Sequence, residues 1–218
     1  MPCSAADDGA TSVSFYDRYI LPPLIDMACS KEVVRAQRRK IAPRAEGVVL
    51  ELGFGSGLNL PHLDPGKVEK LYALEPSAGM LARARKMASG AAFPVEFLAE
   101  TAEALSLPAG VVDTVLVTYS LCSIADPVAA LAGARRALKP GGKLLFCEHG
   151  LAPEESVRRW QRRIDPVWRT IAGGCRLTRD APGLLRSAGF VLEQLETGYL
   201  PKTPKWAGFN TWGSARAA

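Results

Sequence analysis

A short apolar run, Gly47–Leu52 (GVVLEL), leads directly into Gly53-Phe54-Gly55-Ser56-Gly57. No other feature restricts the fold as much. The run is rich in branched residues and bounded by glycines, which predicts a buried strand. Alternate glycines give a tight turn and let the backbone approach a ligand closely. A helical stretch is expected to open at Leu58. Further apolar runs follow at Leu71–Glu75 (LYALE), Val95–Leu98, Asp113–Thr118 (DTVLVT) and Lys143–Glu148 (KLLFCE). Between them, Ser77–Met87 reads as a helix capped by Ser77, with Met80, Leu81 and Ala84 on one face. Asp126–Leu138 reads as another, capped by Asp126, with Pro127 at its first position and Pro140-Gly141-Gly142 ending it. Strands and helices alternating at this spacing form βαβ units, so the class is α/β with a mostly parallel sheet.

Outside this alternation, Phe15–Ile41 has a helical pattern interrupted by Pro22-Pro23. Val157–Ala172 is helical with Pro166 as a kink, and Ala181–Ser187 is a further helix. Phe190–Thr197 and Gly208–Ala215 read as two closing strands, joined through Pro201 and Pro204 and antiparallel at a sheet edge.

At 218 residues the chain is long enough to bury about 70% of its unfolded surface. Its 48% hydrophobic and 22% charged residues exclude a disordered chain, a collagen and a coiled coil. The net charge of +5 is mixed along the chain. It suits anionic small molecules or a lipid surface and gives no argument for nucleic acid. Five cysteines (Cys3, Cys29, Cys122, Cys147 and Cys175) form no CxxC pair. Their odd number and spacing argue against a disulfide framework and a zinc site, so no metal is expected and the expected location is cytoplasmic. Met1–Ser14 lacks the basic and apolar regions of a signal peptide, and no apolar run is long enough to span a bilayer.

The glycine spacing is GxGxG, not the GxGxxG of dinucleotide binders, and no Walker lysine follows it. Glu51 precedes the loop, and Glu75 ends the next strand, where a carboxylate accepts ribose hydroxyls. These residues alone leave open a bare turn and a NAD site. As an ordered set, VLELGFGSGLNL, LYALEPSAGMLARAR, FLAETAEALSLP, DTVLVTYSLCSI and ALKPGGKLLFCEHG resemble the motifs of class I S-adenosylmethionine-dependent methyltransferases over residues 45–150. The resemblance implies a Rossmann-like, doubly wound seven-stranded sheet of order 3-2-1-4-5-7-6, with its last-but-one strand antiparallel. It also implies S-adenosyl-L-methionine as cofactor and S-adenosyl-L-homocysteine as product. Gly53, Gly55 and Gly57 would meet the methionine half, with Glu51, Asn59 and Leu60 beside them. Glu75 would hold the ribose, and Pro76, Ser77 and Met80 would flank the adenine. Thr101, Ala102 and Glu103 would meet the adenine edge, with Thr101 standing where many relatives carry an aspartate. Tyr119, Ser120 and Leu121 would close the site beneath the methionine. Residues 1–14 are then a flexible N-terminus and 15–218 a single methyltransferase domain. Within it, 15–44 form a helical lid, 45–150 the cofactor core, and 151–218 the substrate-side helices and closing strands.

Ligands of such sheets sit outside the carboxyl ends of the strands, which singles out Tyr119–Ser123 and Cys147–Gly150. His149 there suits either a general base, with an ordinary pKa near 6.5, or a structural hydrogen bond. Cys122 either lines the pocket or packs. Tyr16 and Tyr19 fit a lid over the pocket. In VRRWQRRIDPVWRTI, Arg158, Arg159, Arg162 and Arg163 share one helical side and Trp160, Ile164 and Trp168 another. Such a helix is either a solvated face backed by core or a contact with an anionic membrane. Past residue 145, the EH pair, W-x-x-x-x-D-P-x-W and G-C-x-L-T-R resemble the animal thiol methyltransferases, the similarity covering residues 46–195. This implies a pocket roofed by Trp168 and Leu177, and a version without the N-terminal hydrophobic anchor of those relatives. The expected reaction is methyl transfer to a small acceptor, a thiol or hydrogen sulfide. A lipid, quinone or other acceptor at O, N or C, and a non-catalytic cofactor-binding module, are the alternatives.

Overall fold

The computed structural model describes residues 16–218; the expected flexible stretch 1–14, together with Phe15, lies outside the described residues. Seven strands form one sheet: β1 (Gly47–Leu52), β2 (Val68–Leu74), β3 (Val95–Leu98), β4 (Val112–Thr118), β5 (Leu138–His149), β6 (Phe190–Tyr199) and β7 (Phe209–Ala217). Their order is β3-β2-β1-β4-β5-β7-β6, as the resemblance implies. The pairs from β3 to β5 are parallel, while β7 runs antiparallel to both β5 and β6.

The apolar runs are continuous because both faces of the sheet are covered. Leu50 and Leu52 of β1 point into one layer with Val115, Val117, Leu144 and Phe146. There they meet Ala130, Leu131 and Ala134 of α4 (Pro127–Ala137) and Leu185 of α6 (Ala181–Ser187). Val49, Leu71, Leu116 and Leu145 point into the other layer. They meet Ile41 of α2 (Glu32–Ile41) and Ala84 of α3 (Ala78–Ala88). Both expected caps form: the Ser77 hydroxyl accepts the Met80 N–H, and the Asp126 carboxylate accepts those of Val128 and Ala129.

Four expectations are corrected. No α-helix opens at Leu58; the segment makes turns and one 3₁₀ turn, Leu60–His62. Six residues separate Gly57 from Asp64-Pro65, too few to repay helix nucleation. The Pro140-Gly141-Gly142 run does not end α4, which stops at Ala137. It belongs to an irregular start of β5, where the register with β4 shifts between Val112 and Thr114. Pro22-Pro23 does not interrupt a helix. It sits in the first turn of α1 (Leu21–Cys29), where proline's missing N–H costs nothing, after a π-helical turn at Tyr16–Ile20. The break falls at Ser30-Lys31 instead. Along α5 (Glu155–Ile171), Trp168 packs edge-on against Trp206, but Trp160 is 59% and Val167 65% exposed, so the tryptophans do not share a buried face. The closing strands are joined through a short helix α7 (Lys205–Gly208). Among the described residues, no helix is long and apolar enough to cross a membrane.

Candidate active site

A cavity of about 900 Å³ opens at the carboxyl ends of β1, β2 and β4. Gly53 and Gly55 form one wall, and Glu75, Pro76, Ser77 and Met80 a second. Thr101, Ala102 and Glu103 close one end, and Tyr119, Ser120 and Ser123–Asp126 line the rest. Leu21, Pro22 and Ile25 of α1 cover the mouth with Gly173.

The glycine loop is shaped by its neighbours. Gly53 has φ +71°, and a Cβ there would lie 2.5 Å from the Ser120 Cβ. The Ser120 hydroxyl donates to the Leu52 carbonyl at 2.8 Å, so this contact fastens the loop to the end of β4. Gly55 has φ +60°, and a Cβ there would meet nothing within 4 Å. Glu75 accepts the Gly55 N–H on one carboxylate oxygen and the Ser77 N–H on the other, each at 2.8 Å. Burial raises its pKa, and these two N–H donors oppose that rise. The Glu75 carboxyl is thus fixed at the cavity wall with further lone pairs free for hydroxyl donors.

Behind the loop lies a buried polar cluster. Asn59 donates to Glu51 Oε1 (2.8 Å) and Thr118 Oγ1 (2.7 Å), while Arg38 of α2 donates to Asn59 Oδ1 (3.1 Å) and Thr118 Oγ1 (2.5 Å). Glu51 and Asn59 therefore stand behind the cavity wall and not in its lining. Burial pushes the Glu51 carboxyl up to about 8 against the opposing Asn59 hydrogen bond and Arg38 charge. From the carboxyl's ordinary value of 4.5 up to about 8, folded Glu51 keeps a proton that the unfolded chain has lost. Its contribution to stability therefore falls as pH rises through that window, by about 1.4 kcal/mol per pH unit. Glu51→Gln should remove this slope. Urea unfolding at pH 5 to 8 should show the variant gaining on the wild type as pH rises; a constant difference would contradict it.

Other sequence candidates also stand outside the cavity lining. Gly57 faces Phe54 and Met87, Leu60 packs against the second core layer, and Leu121 is fully buried. Tyr16 donates from its hydroxyl to the Ile171 carbonyl at 2.7 Å, tying the N-terminal turn to the end of α5, and Tyr19 is exposed. Leu177 is buried, its N–H donating to Asp165. His149, Cys122, Cys175 and Trp168 form a group behind the wall. His149 Nε2 lies 3.2 Å from Cys175 Sγ, and the Trp168 indole N–H donates to the same sulfur at 3.4 Å. His149, expected either as a base or as a structural hydrogen-bonding group, thus has its Nε2 engaged within the chain. The hydrogen bond with Cys122, and then burial, hold the Cys175 thiol well above the usual thiol range.

Sequence reasoning placed a lid over 15–44 and singled out Tyr16 and Tyr19 in it, but passed over Leu21, Pro22 and Ile25, and also Ile124–Asp126 after β4. The α1 residues reach the cavity because Asp26 binds the Ser56 hydroxyl of the glycine loop and lies 3.3 Å from Arg83 of α3. The local signal for them was an apolar helix face beginning at a Pro-Pro pair.

A methyltransferase domain model matches residues 50–146. The thiol S-methyltransferase TMT1B of Homo sapiens is 32% identical over 189 residues, covering 81% of this chain and 76% of that protein. The chain belongs to the class I S-adenosylmethionine-dependent methyltransferases. TMT1B of Rattus norvegicus is 35% identical over 165 residues, 74% of this methyltransferase and 66% of its relative. A SAM-dependent methyltransferase structure from Leishmania major superposes with a TM-score of 0.66 at 16% identity, covering 91% of this chain and 79% of that one. The cofactor is therefore S-adenosyl-L-methionine, and the cavity fits it. Gly55 leaves the backbone bare toward open space, and the Glu75 carboxyl is anchored beside it. Removing that carboxyl leaves the hydroxyls of a bound ribose unpaired, so Glu75→Ala should weaken cofactor binding by about 1–3 kcal/mol. Calorimetry with S-adenosylhomocysteine checks this, and unchanged affinity would exclude Glu75 from the ribose site.

Proposed function

We propose that this methyltransferase moves the methyl group of S-adenosylmethionine to the sulfur of a small, apolar thiol. The observation that carries this reading is its kinship with proteins named thiol S-methyltransferases across most of its length. The chemistry of the cavity supports it. When bound, the sulfonium cofactor supplies an already activated methyl group. The chain's own task is then to bind, orient and exclude water, and alignment of that kind contributes up to about 7–11 kcal/mol. Leu21, Pro22 and Ile25 make an apolar mouth, and Tyr119, Ser123 and Ile124 shape the wall where an acceptor would rest. Oxygen and carbon acceptors call for a strong base in contact with them. Among the described residues lining the cavity, the carboxyls are Glu75, which accepts two backbone N–H groups, and Glu103 and Asp126 at its end. A thiol needs less, since its ordinary pKa near 8.5 leaves a few per cent thiolate at neutral pH.

The test is a panel of acceptors matched in shape (alkyl thiol, hydrogen sulfide, alcohol, amine and quinol), each with methyl-labelled cofactor. Label should appear on sulfur, with S-adenosylhomocysteine formed in equal amount and only when a thiol is present. Label on the alcohol, amine or quinol with none on the thiols would overturn the reading. The rate should rise with pH toward the acceptor's own pKa as the thiolate fraction grows.

A further inference from the structure

Three metal-ligating side chains that the reading above does not use converge from separate parts of the chain. Cys122 follows β4, His149 ends β5, and Cys175 follows α5. Their two sulfurs and an imidazole nitrogen all lie within 4.8 Å of one another. We propose that Cys122, His149 and Cys175 form a zinc-binding site just behind the wall of the cofactor cavity.

The ligand chemistry and spacing support this. Two thiolates and an imidazole are the soft and borderline donors that suit zinc over calcium or magnesium. Tetrahedral bonds of about 2.3 Å to sulfur and about 2.0 Å to nitrogen set neighbouring donor atoms about 3.5–3.8 Å apart. The observed spread, from 3.2 Å between His149 and Cys175 up to the 4.8 Å limit, brackets that range, so small side-chain adjustments close the site.

The surroundings are those of a supported metal centre. The Trp168 N–H donates to Cys175 Sγ at 3.4 Å, and the Ser123 hydroxyl lies 3.5 Å from Cys122 Sγ. Polar donors aimed at sulfur orient ligands and tune a bound metal. The Arg176 N–H donates to the Cys122 carbonyl at 2.9 Å, so the segments carrying the two cysteines are joined through the backbone. The His149 ring lies nearly parallel to that of Tyr119, at 16°. Tyr119 itself holds a left-handed backbone, φ +55°, costly for an aromatic residue, at the bend that turns Cys122 back toward His149. Cys122 is 3% exposed, so water competes little for the position.

Binding balances simply. Zn²⁺ replaces the protons of two thiols and forms two S–Zn bonds and one N–Zn bond, and two protons pass to the buffer with no change of oxidation state. Three protein ligands leave one coordination position open, as in catalytic zinc sites. The site does not depend on which acceptor the enzyme methylates.

The experiment uses the full chain, stripped with a chelator and kept reduced. After stoichiometric zinc and desalting, elemental analysis should find one ion per chain. Cobalt in its place should give the sulfur-to-metal charge-transfer band of a tetrahedral thiolate site. Cys122→Ser and Cys175→Ser should each lose the bound ion and that band. Trp168→Phe keeps all three ligands but removes a donor to sulfur, and should weaken metal binding about 10–100-fold. It guards the test should a cysteine variant fail to fold. A reduced wild type that retains no zinc would overturn the site, as would cysteine variants that bind metal like the wild type. So would a Cys122–Cys175 disulfide forming readily in air while the reduced pair ignores zinc.

Discussion

Gly55→Val should abolish cofactor binding while leaving the protein folded. At this residue a Cβ meets no protein atom within 4 Å, so the branched side chain projects into the cavity. It takes the space a bound cofactor needs, and affinity should drop at least 100-fold, about 2.7 kcal/mol. The cost to the fold is the left-handed backbone at φ +60°, about 1–2 kcal/mol for a residue with a side chain. That is small beside a typical stability of about 5–15 kcal/mol. Gly53 makes the contrast. Even alanine there drives its Cβ to 2.5 Å from Ser120, so Gly53→Ala should displace the loop and lower stability and binding together. Calorimetry and thermal unfolding of both variants separate the effects. Normal binding by Gly55→Val would mean that the loop is only a turn.

Arg38→Met should be the most destabilising exchange in the buried cluster. Arg38 is 5% exposed, and one of its nitrogens donates to both Asn59 and Thr118. Methionine fills much of the volume but donates nothing, leaving the Asn59 carbonyl without its partner. Losing two charge-assisted bonds and stranding a buried acceptor costs about 3–5 kcal/mol. For a chain of this size the melting temperature should fall by about 6–20 °C. A loss below 1 kcal/mol by urea unfolding would show that water reaches the cluster and replaces the arginine.

The elements legible in the sequence were those specified by local chemistry. The run ending at Leu52, the glycine loop and the caps at Ser77 and Asp126 each carry their own signal, and each forms. Glu75 was found because a strand-end carboxylate after such a loop has few other uses. The strand order came from the whole set of motifs, since no single run says where it lies in a sheet. The missing helix at Leu58 shows a pattern too short to propagate. The lid over 15–44 was legible as a region, but not its lining residues, because Leu21, Pro22 and Ile25 reach the cavity only through tertiary contacts, Asp26 with Ser56 and Tyr16 with Ile171. The Cys122–His149–Cys175 group was hidden for a related reason. Its members lie more than twenty residues apart, and the usual zinc signatures rest on pairs close together in sequence.

The placement of β7 between β5 and β6 bears on how the chain is made. During synthesis β6 emerges before residues 209–217, and among the described residues it pairs in the sheet with β7 alone. Until those residues follow, β5 also presents an open edge. Two unpaired edges on one nascent chain invite pairing with other chains. Along β6 the exposed residues include Glu193 and Glu196 beside Val191 and Leu195, and the carboxylates discourage such pairing. Residues 209–217 must therefore leave the ribosome before the sheet can close. Folding of that half should be limited by this late, long-range strand insertion and not by the parallel core that precedes it.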